Sequence, residues 1–270
     1  MRRVLLGVGL LIVAGVSASG ALAANGAPAR GFVVYKDFRS HAVVDVRDAN
    51  GRIVSSTVEV GKTGDLSSPC GDSRHTFFGV RWETFEPYLV NAASIPAYLD
   101  RAEALADIVA AHAAWQTPFL TDCSTRARTS PYRALYGGTT TRPASLTDNV
   151  TTDGYNVVQF RSLVGTVCDG ALACVVVAHE RGRLTEADML LEENLKRFGF
   201  EDFWTTDDTT WWNQVEGRYS ISDMATHEWG HFAGLGHVKH SPALTMFPFV
   251  HDGMQTLGRG DMLGLLARYE

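Results

Sequence analysis

The chain has 270 residues, 45% of them hydrophobic and 20% charged, which is enough apolar material for a full core and excludes a disordered or fibrous chain. The net charge is −6 and no basic patch is visible, so the electrostatic footprint of a nucleic-acid binder is absent. The length suits one domain, or one domain with a small extension.

Residues 1–23 read as a signal peptide. Arg2-Arg3 give a positive start, Val4 to Val16 is a mostly apolar run, and Ala21-Leu22-Ala23 ends in the small-x-small cleavage pattern. Ser17, Ser19 and Gly20 suit a cleavage region better than an uncleaved anchor. The expected mature chain begins near Ala24, is secreted, and has no membrane partner once the signal is removed. Loss of Arg2 and Arg3 takes its charge from −6 to −8. Export gives the four cysteines, Cys70, Cys123, Cys168 and Cys174, an oxidising environment. Four cysteines allow three pairings. The short local loop Cys168–Cys174, together with Cys70–Cys123, is favoured.

Residues 24–75 read as a β-rich segment without chemistry, either a prosegment or extra strands on a catalytic domain. Ala42–Asp48 and Ile53–Val60 are Val-rich, and Ala49-Asn50-Gly51 between them is a turn signal. Phe85–Asn91 looks like the first strand of a domain spanning 76–270. From Ile95 to Trp115, Leu99, Ala102, Leu105, Ile108, Val109 and Ala113 fall at helical spacing, and His112 within that helix reads as structural or solvated. Residues 124–154 are rich in Thr, Arg, Pro and Gly and read as a long surface segment with one short strand. Asn149-Val150-Thr151 is formally a glycosylation acceptor. Asn156–Phe160 and Leu172–Ala178 are strand-like. His179-Glu180 lacks a correctly spaced second histidine and reads as a lone exposed pair. Glu201-Asp202 with Asp207-Asp208 offers oxygens that Ca²⁺ could take, but without spaced ligands a solvated acidic loop is the better reading.

The chemistry concentrates in Thr226–His237, spaced H-E-x-x-H-x-x-G-x-x-H. Ser220 and Asp223 mark the start of a helix. On it His227 and His231 lie one turn apart on one face, where two imidazoles can share a metal ion. Glu228, beside the first histidine, can reach a water there as general base. Gly234 can take a positive φ, end the helix and turn the chain back so that His237 supplies a third nitrogen. His240 falls outside that spacing. Three histidines leave a fourth tetrahedral position open, the arrangement of a catalytic Zn²⁺ rather than a structural one.

This stretch resembles the metzincin zinc peptidases. Ala243-Leu244-Thr245-Met246-Phe247-Pro248 is similar to the Met-turn of their matrixin branch, in which a methionine, here Met246, lies under the metal without binding it. Leu257–Tyr269, with Asp261, Gly264 and Tyr269 in register, resembles the final matrixin helix. Arg183–Met189 resembles the strand before the zinc helix, and Gly79-Val80-Arg81-Trp82 the domain opening. The resemblance covers residues 79–270, with the zinc stretch and Met-turn its most specific parts. Val238 stands where matrixins have Ser or Thr, and Pro248-Phe249-Val250 where they have Pro-x-Tyr, which alters the substrate pocket and leaves the zinc ligands intact. Cys70, within Ser68-Pro69-Cys70-Gly71-Asp72, lacks the full matrixin motif for a thiolate placed on the metal, and a disulfide is the better expectation.

The resemblance implies an α/β (α+β) fold: a twisted mixed sheet, two main helices and a small C-terminal subdomain carrying the Met-turn and a terminal helix. It implies a zinc-dependent endopeptidase whose partner is a protein or peptide substrate. An inactive zinc-binding module and a non-peptidic zinc hydrolase are the alternatives.

Overall fold

The computed structural model describes residues 30–61, 68–116, 123, 130–147, 150–193, 203–207, 219–248 and 254–270. The signal-peptide reading, the glycosylation acceptor Asn149 and most of the acidic cluster, Glu201, Asp202 and Asp208, lie outside them.

One eight-stranded sheet carries the fold. Its strands are β1 (Arg30–Asp37), β2 (Ala42–Asp48), β3 (Ile53–Glu59), β5 (Tyr88–Val90), β6 (Tyr136–Thr139), β7 (Asn156–Arg161), β8 (Ala173–Glu180) and β9 (Arg183–Glu192). Their order across the sheet is β3-β2-β1-β8-β9-β7-β5-β6. The half from β9 to β6 is parallel, and the half from β9 to β3 is antiparallel. Two-stranded pairings join β4 (Thr76–Phe77) to β12 (Leu235–Gly236) and β10 (Trp204–Thr205) to β11 (Tyr219–Ser220). The helices are α1 (Arg101–Gln116), α2 (Ile221–Phe232) and α3 (Arg259–Tyr269). This is the mixed α/β architecture expected, with two main helices on the sheet and a third near the C-terminus. Among the described residues no helix is long and apolar enough to cross a membrane.

The helices cover one face. Ile108 and Trp115 of α1, and Met224, Trp229 and Phe232 of α2, pack on Tyr35, Val175, Val177 and Met189 of the sheet. The opposite face holds a second cluster in which Phe32, Val34, Val176 and Leu190 meet Ala144, Leu146 and Leu163. With both faces covered, β8 reads as a continuous apolar run rather than an alternating one.

Three expectations need correction. The helix begins at Arg101, not Ile95: the Asp100 carboxylate accepts from the N–H groups of Ala102 (2.8 Å) and Glu103 (3.0 Å), a cap that the apolar spacing did not register. Part of the 124–154 surface segment is inner layer. Asp188 accepts from the N–H groups of Ser145, Leu146 and Val157, and Glu186 accepts from those of Asp153 and Gly154, which fastens the segment onto β9. Finally, His179 is buried rather than exposed, because Gly31 of β1 pairs opposite it, and Glu180 meets Arg30.

Both favoured disulfides are present. Cys70 pairs with Cys123 and Cys168 with Cys174, and none of the four is free. Cys70 is therefore not a thiolate aimed at the histidines.

Candidate metal centre

The candidate site begins with how α2 is held. Ser220 caps it by accepting from the Asp223 N–H (3.2 Å). Its last carbonyls, which have no partner within the helix, are taken up by side chains from elsewhere. The Trp82 indole donates to the Phe232 carbonyl (2.8 Å) and the Tyr269 hydroxyl to that of Ala233 (2.7 Å). Earlier in the helix, the Trp115 indole donates to the Thr226 carbonyl (2.8 Å). Every residue of α2 is buried.

Two glycines set the site's shape. A Cβ on Gly230 would stand 2.2 Å from the Met246 Sδ and 2.9 Å from Trp115, so only glycine between the histidines lets Met246 lie directly against the helix. Gly234 has φ +86°, and a Cβ there would meet the Val80 carbonyl oxygen at 2.6 Å. The chain reverses at this glycine, β12 pairs with β4, and His237 returns to the helix. His240, by contrast, is exposed and stands outside the cluster.

The three expected histidines converge. Nε2 of His231 is 3.2 Å from that of His227 and 3.0 Å from that of His237, and the remaining pair is 3.3 Å apart. Ligand nitrogens on a tetrahedral zinc, each about 2.0–2.1 Å from the ion, stand about 3.3–3.4 Å from one another. The ring tautomers also fit. Nδ1 of His227 donates to the Thr245 carbonyl (2.6 Å) and Nδ1 of His231 to the Leu235 carbonyl (3.0 Å). A carbonyl oxygen can only accept, so each Nδ1 carries the proton and each neutral ring presents its Nε2 lone pair to the centre. Burial, with the neighbouring rings, lowers His231 to about 4 and favours its neutral form.

The loop at Thr245–Met246 is held from α3. The Asp261 carboxylate accepts from the N–H groups of Thr245, Met246 and Gly258, and the Met246 carbonyl accepts from the Val238 N–H. Thr245 in turn supplies the oxygen that orients His227. A chain of contacts thus runs from α3 through residues 245–246 to His227.

Two site residues were not anticipated. Asp37, the last residue of β1, places Oδ1 2.8 Å from Nε2 of His237 and 3.5 Å from that of His227, with Oδ2 3.6 Å from that of His231. Glu59, the last residue of β3, accepts from Nδ1 of His237 (2.7 Å) and meets the Lys239 ammonium (3.1 Å). Asp37, His227, His231 and His237 form a buried group able to hold a metal ion, the one such group among the described residues. The sequence signal for these carboxylates is faint. Glu59 is the single buried residue of an otherwise exposed strand, and Asp37 closes a Val-rich run.

Glu228 is fully buried beside the ligands, and among the described residues no hydrogen-bond donor reaches either carboxylate oxygen. Burial first, and then the Asp37 carboxylate, push its pKa well above the ordinary carboxylate range. Burial also raises Asp37, but the facing His237 and His227 outweigh it and hold Asp37 well below that range. Two facing buried carboxylates need a proton or a cation between them, and a divalent ion among the three histidines would balance both charges. Nitrogen spacing, the tautomers of His227 and His231, and the facing carboxylates therefore suit a bound metal ion.

Protein-family models and curated proteins were compared with the chain, and neither comparison gave a match.

Proposed function

We propose that the chain is an exported zinc-dependent endopeptidase of the metzincin type, with His227, His231 and His237 as metal ligands and Glu228 as general base. The carrying observation is the set of three Nε2 atoms within 3.0–3.3 Å of one another, with Glu228 on the same helix. The Met246 contact at Gly230 and the two disulfides support the same reading. Zinc bound here would supply the Lewis acidity that makes water nucleophilic near neutral pH and polarises a peptide carbonyl. Glu228 takes the proton from the attacking water and returns it to the leaving amine. The Thr245 and Leu235 carbonyls keep two imidazoles in the tautomer that presents Nε2, and Met246 supports the helix beneath them.

A metal-held binding module is the second reading. It is favoured by Asp37, which closes the fourth position as in structural zinc sites. Glu228 speaks against it. A buried carboxylate without a donor is costly, and a purely structural site has no use for one.

The test is Glu228→Gln. Wild type and variant are zinc-loaded, lightly treated with trypsin, quenched, and digested against a peptide library read by mass spectrometry. The variant is expected to keep its zinc and fold and to lose about 10²–10⁴-fold in cleavage rate. Equal cleavage by the two proteins would remove Glu228 from the reaction. A wild type that holds zinc and cleaves nothing would favour the binding module.

A further inference from the structure

The three histidines are not held alike. His227 and His231 stand on α2, and their Nδ1 atoms donate to the Thr245 and Leu235 carbonyls. His237 stands on the return after Gly234, where no helix fixes its backbone. Two contacts fix it instead. On one side the Val238 N–H donates to the Met246 carbonyl (2.8 Å). On the other the Thr76 hydroxyl donates to the His237 carbonyl (2.8 Å), across a sequence separation of 161. Beside that bond β4 pairs with β12, as Leu235↔Phe77 and Gly236↔Thr76. The two segments lie so close that a Cβ on Gly236 would stand 2.7 Å from the Phe78 ring and 2.9 Å from Thr76 Oγ1.

The segment that carries Thr76 is itself seated on α3. The Arg259 N–H donates to the Pro69 carbonyl (2.9 Å). A Cβ on Gly260 would collide with the Arg74 carbonyl oxygen, and one on Gly264 would stand 2.9 Å from the His75 Cβ. The Asp72 carboxylate accepts from the Arg74 N–H (3.0 Å) and from its guanidinium, which closes the turn between Pro69 and β4. Cys70 is bonded to Cys123, beyond the end of α1. Residues 69–78 thus form a strap that runs from the disulfide, along α3, to the backbone of His237.

We propose that Thr76 is the positioning residue of the third histidine, held in place by this strap. The proposal rests on the reading of His237 as a metal ligand. Thr76 does not touch the metal position. Its hydroxyl holds the carbonyl of the residue that carries the imidazole, and so sets where the return after Gly234 stops. Ligand distances at a metal site tolerate about 0.2 Å, so a loosened backbone at His237 is felt as lost metal affinity.

The test is the Zn²⁺ affinity of the full chain, measured by competition with a chelator, with circular dichroism as the check on folding. Thr76→Val keeps the side chain's shape and removes its hydroxyl, and it is expected to weaken zinc binding about tenfold or more. Thr76→Ser keeps the hydroxyl and is expected to bind zinc as wild type does. In a His237→Ala background, Thr76→Val should cause no further loss, because the group it positions is gone. Unchanged affinity in Thr76→Val, with a loss in His237→Ala, would overturn the inference alone. Equal losses in the Val and Ser variants would also overturn it, as would a loss of the same size in the His237→Ala background, since each marks a general effect on the fold. Full affinity retained in His237→Ala would sink the reading of His237 as a ligand, and the inference with it.

Discussion

Adding one methyl group at Gly230 tests how α2 and Met246 fit together. The new Cβ would stand 2.2 Å from the Met246 Sδ, 3.0 Å from its Cε and 2.9 Å from Trp115 Cζ2. Met246 and Trp115 are both buried, so neither can simply swing into solvent. Overpacking of this kind costs about 1–3 kcal/mol, while Gly→Ala inside a helix returns about 1 kcal/mol of propensity. Gly230→Ala should therefore destabilise the zinc-loaded protein by up to about 2 kcal/mol, or up to about 8 °C in Tm at this size. Met246→Ala on its own should cost about 2–5 kcal/mol through the cavity it leaves. The informative variant is the double one. With Met246 shortened, only the Trp115 contact remains, so adding Gly230→Ala to Met246→Ala should be close to neutral. Urea denaturation of the four proteins closes the cycle, and the expected coupling is about 1 kcal/mol or more in favour of the pair. If Gly230→Ala costs the same in both backgrounds, Met246 does not press on the helix between His227 and His231.

His237→Ala should lower zinc affinity at least about 100-fold, more than loss of an outer-shell partner typically costs, whereas His240→Ala should leave it unchanged. A metal-competition titration that reverses this order would move the third ligand. The Cys70–Cys123 bridge closes a sequence separation of 53 and the Cys168–Cys174 bridge one of 6, so by loop entropy their removal should cost about 4 and about 2 kcal/mol respectively. Denaturation of the two Cys→Ser double variants measures this, and a larger loss for the short loop would contradict it. Burial should raise the Asp188 carboxyl to about 7 despite its three N–H donors. Its folded pKa then exceeds the unfolded one, so its contribution to stability is greatest below about pH 4 and is lost as pH rises to about 7. Carbon NMR of the labelled carboxyl should find a midpoint near 7, and one below 4 would show that the donors outweigh burial.

Much of the site was legible because its parts lie close together along the chain. The Ser220 cap, the histidine pair of α2, the reversal at Gly234 and the return of His237 all fall within residues 220–237. Local helix and turn chemistry dictates each of them. The strands β2 and β3, the turn at Gly51 and both disulfides were accessible for similar reasons. What escaped was set by pairing across the sheet. Asp37 and His237 are 200 residues apart, and Glu59 and His237 are 178 apart. No spacing rule connects a carboxylate at the end of a Val-rich strand to a histidine after a distant helix. His179 looked exposed for the same reason, since its cover is β1. The helix start at Asp100 was missed because apolar periodicity marks a buried face and says little about where capping begins.

The most direct measurement is zinc-edge X-ray absorption on the full-length, metal-replete protein, with the zinc content determined on the same sample. One zinc per chain is expected, with three imidazole nitrogens and one oxygen in its shell, all at about 2.0–2.2 Å. Substoichiometric metal, a sulfur ligand, or fewer than three imidazoles would contradict a catalytic zinc on His227, His231 and His237.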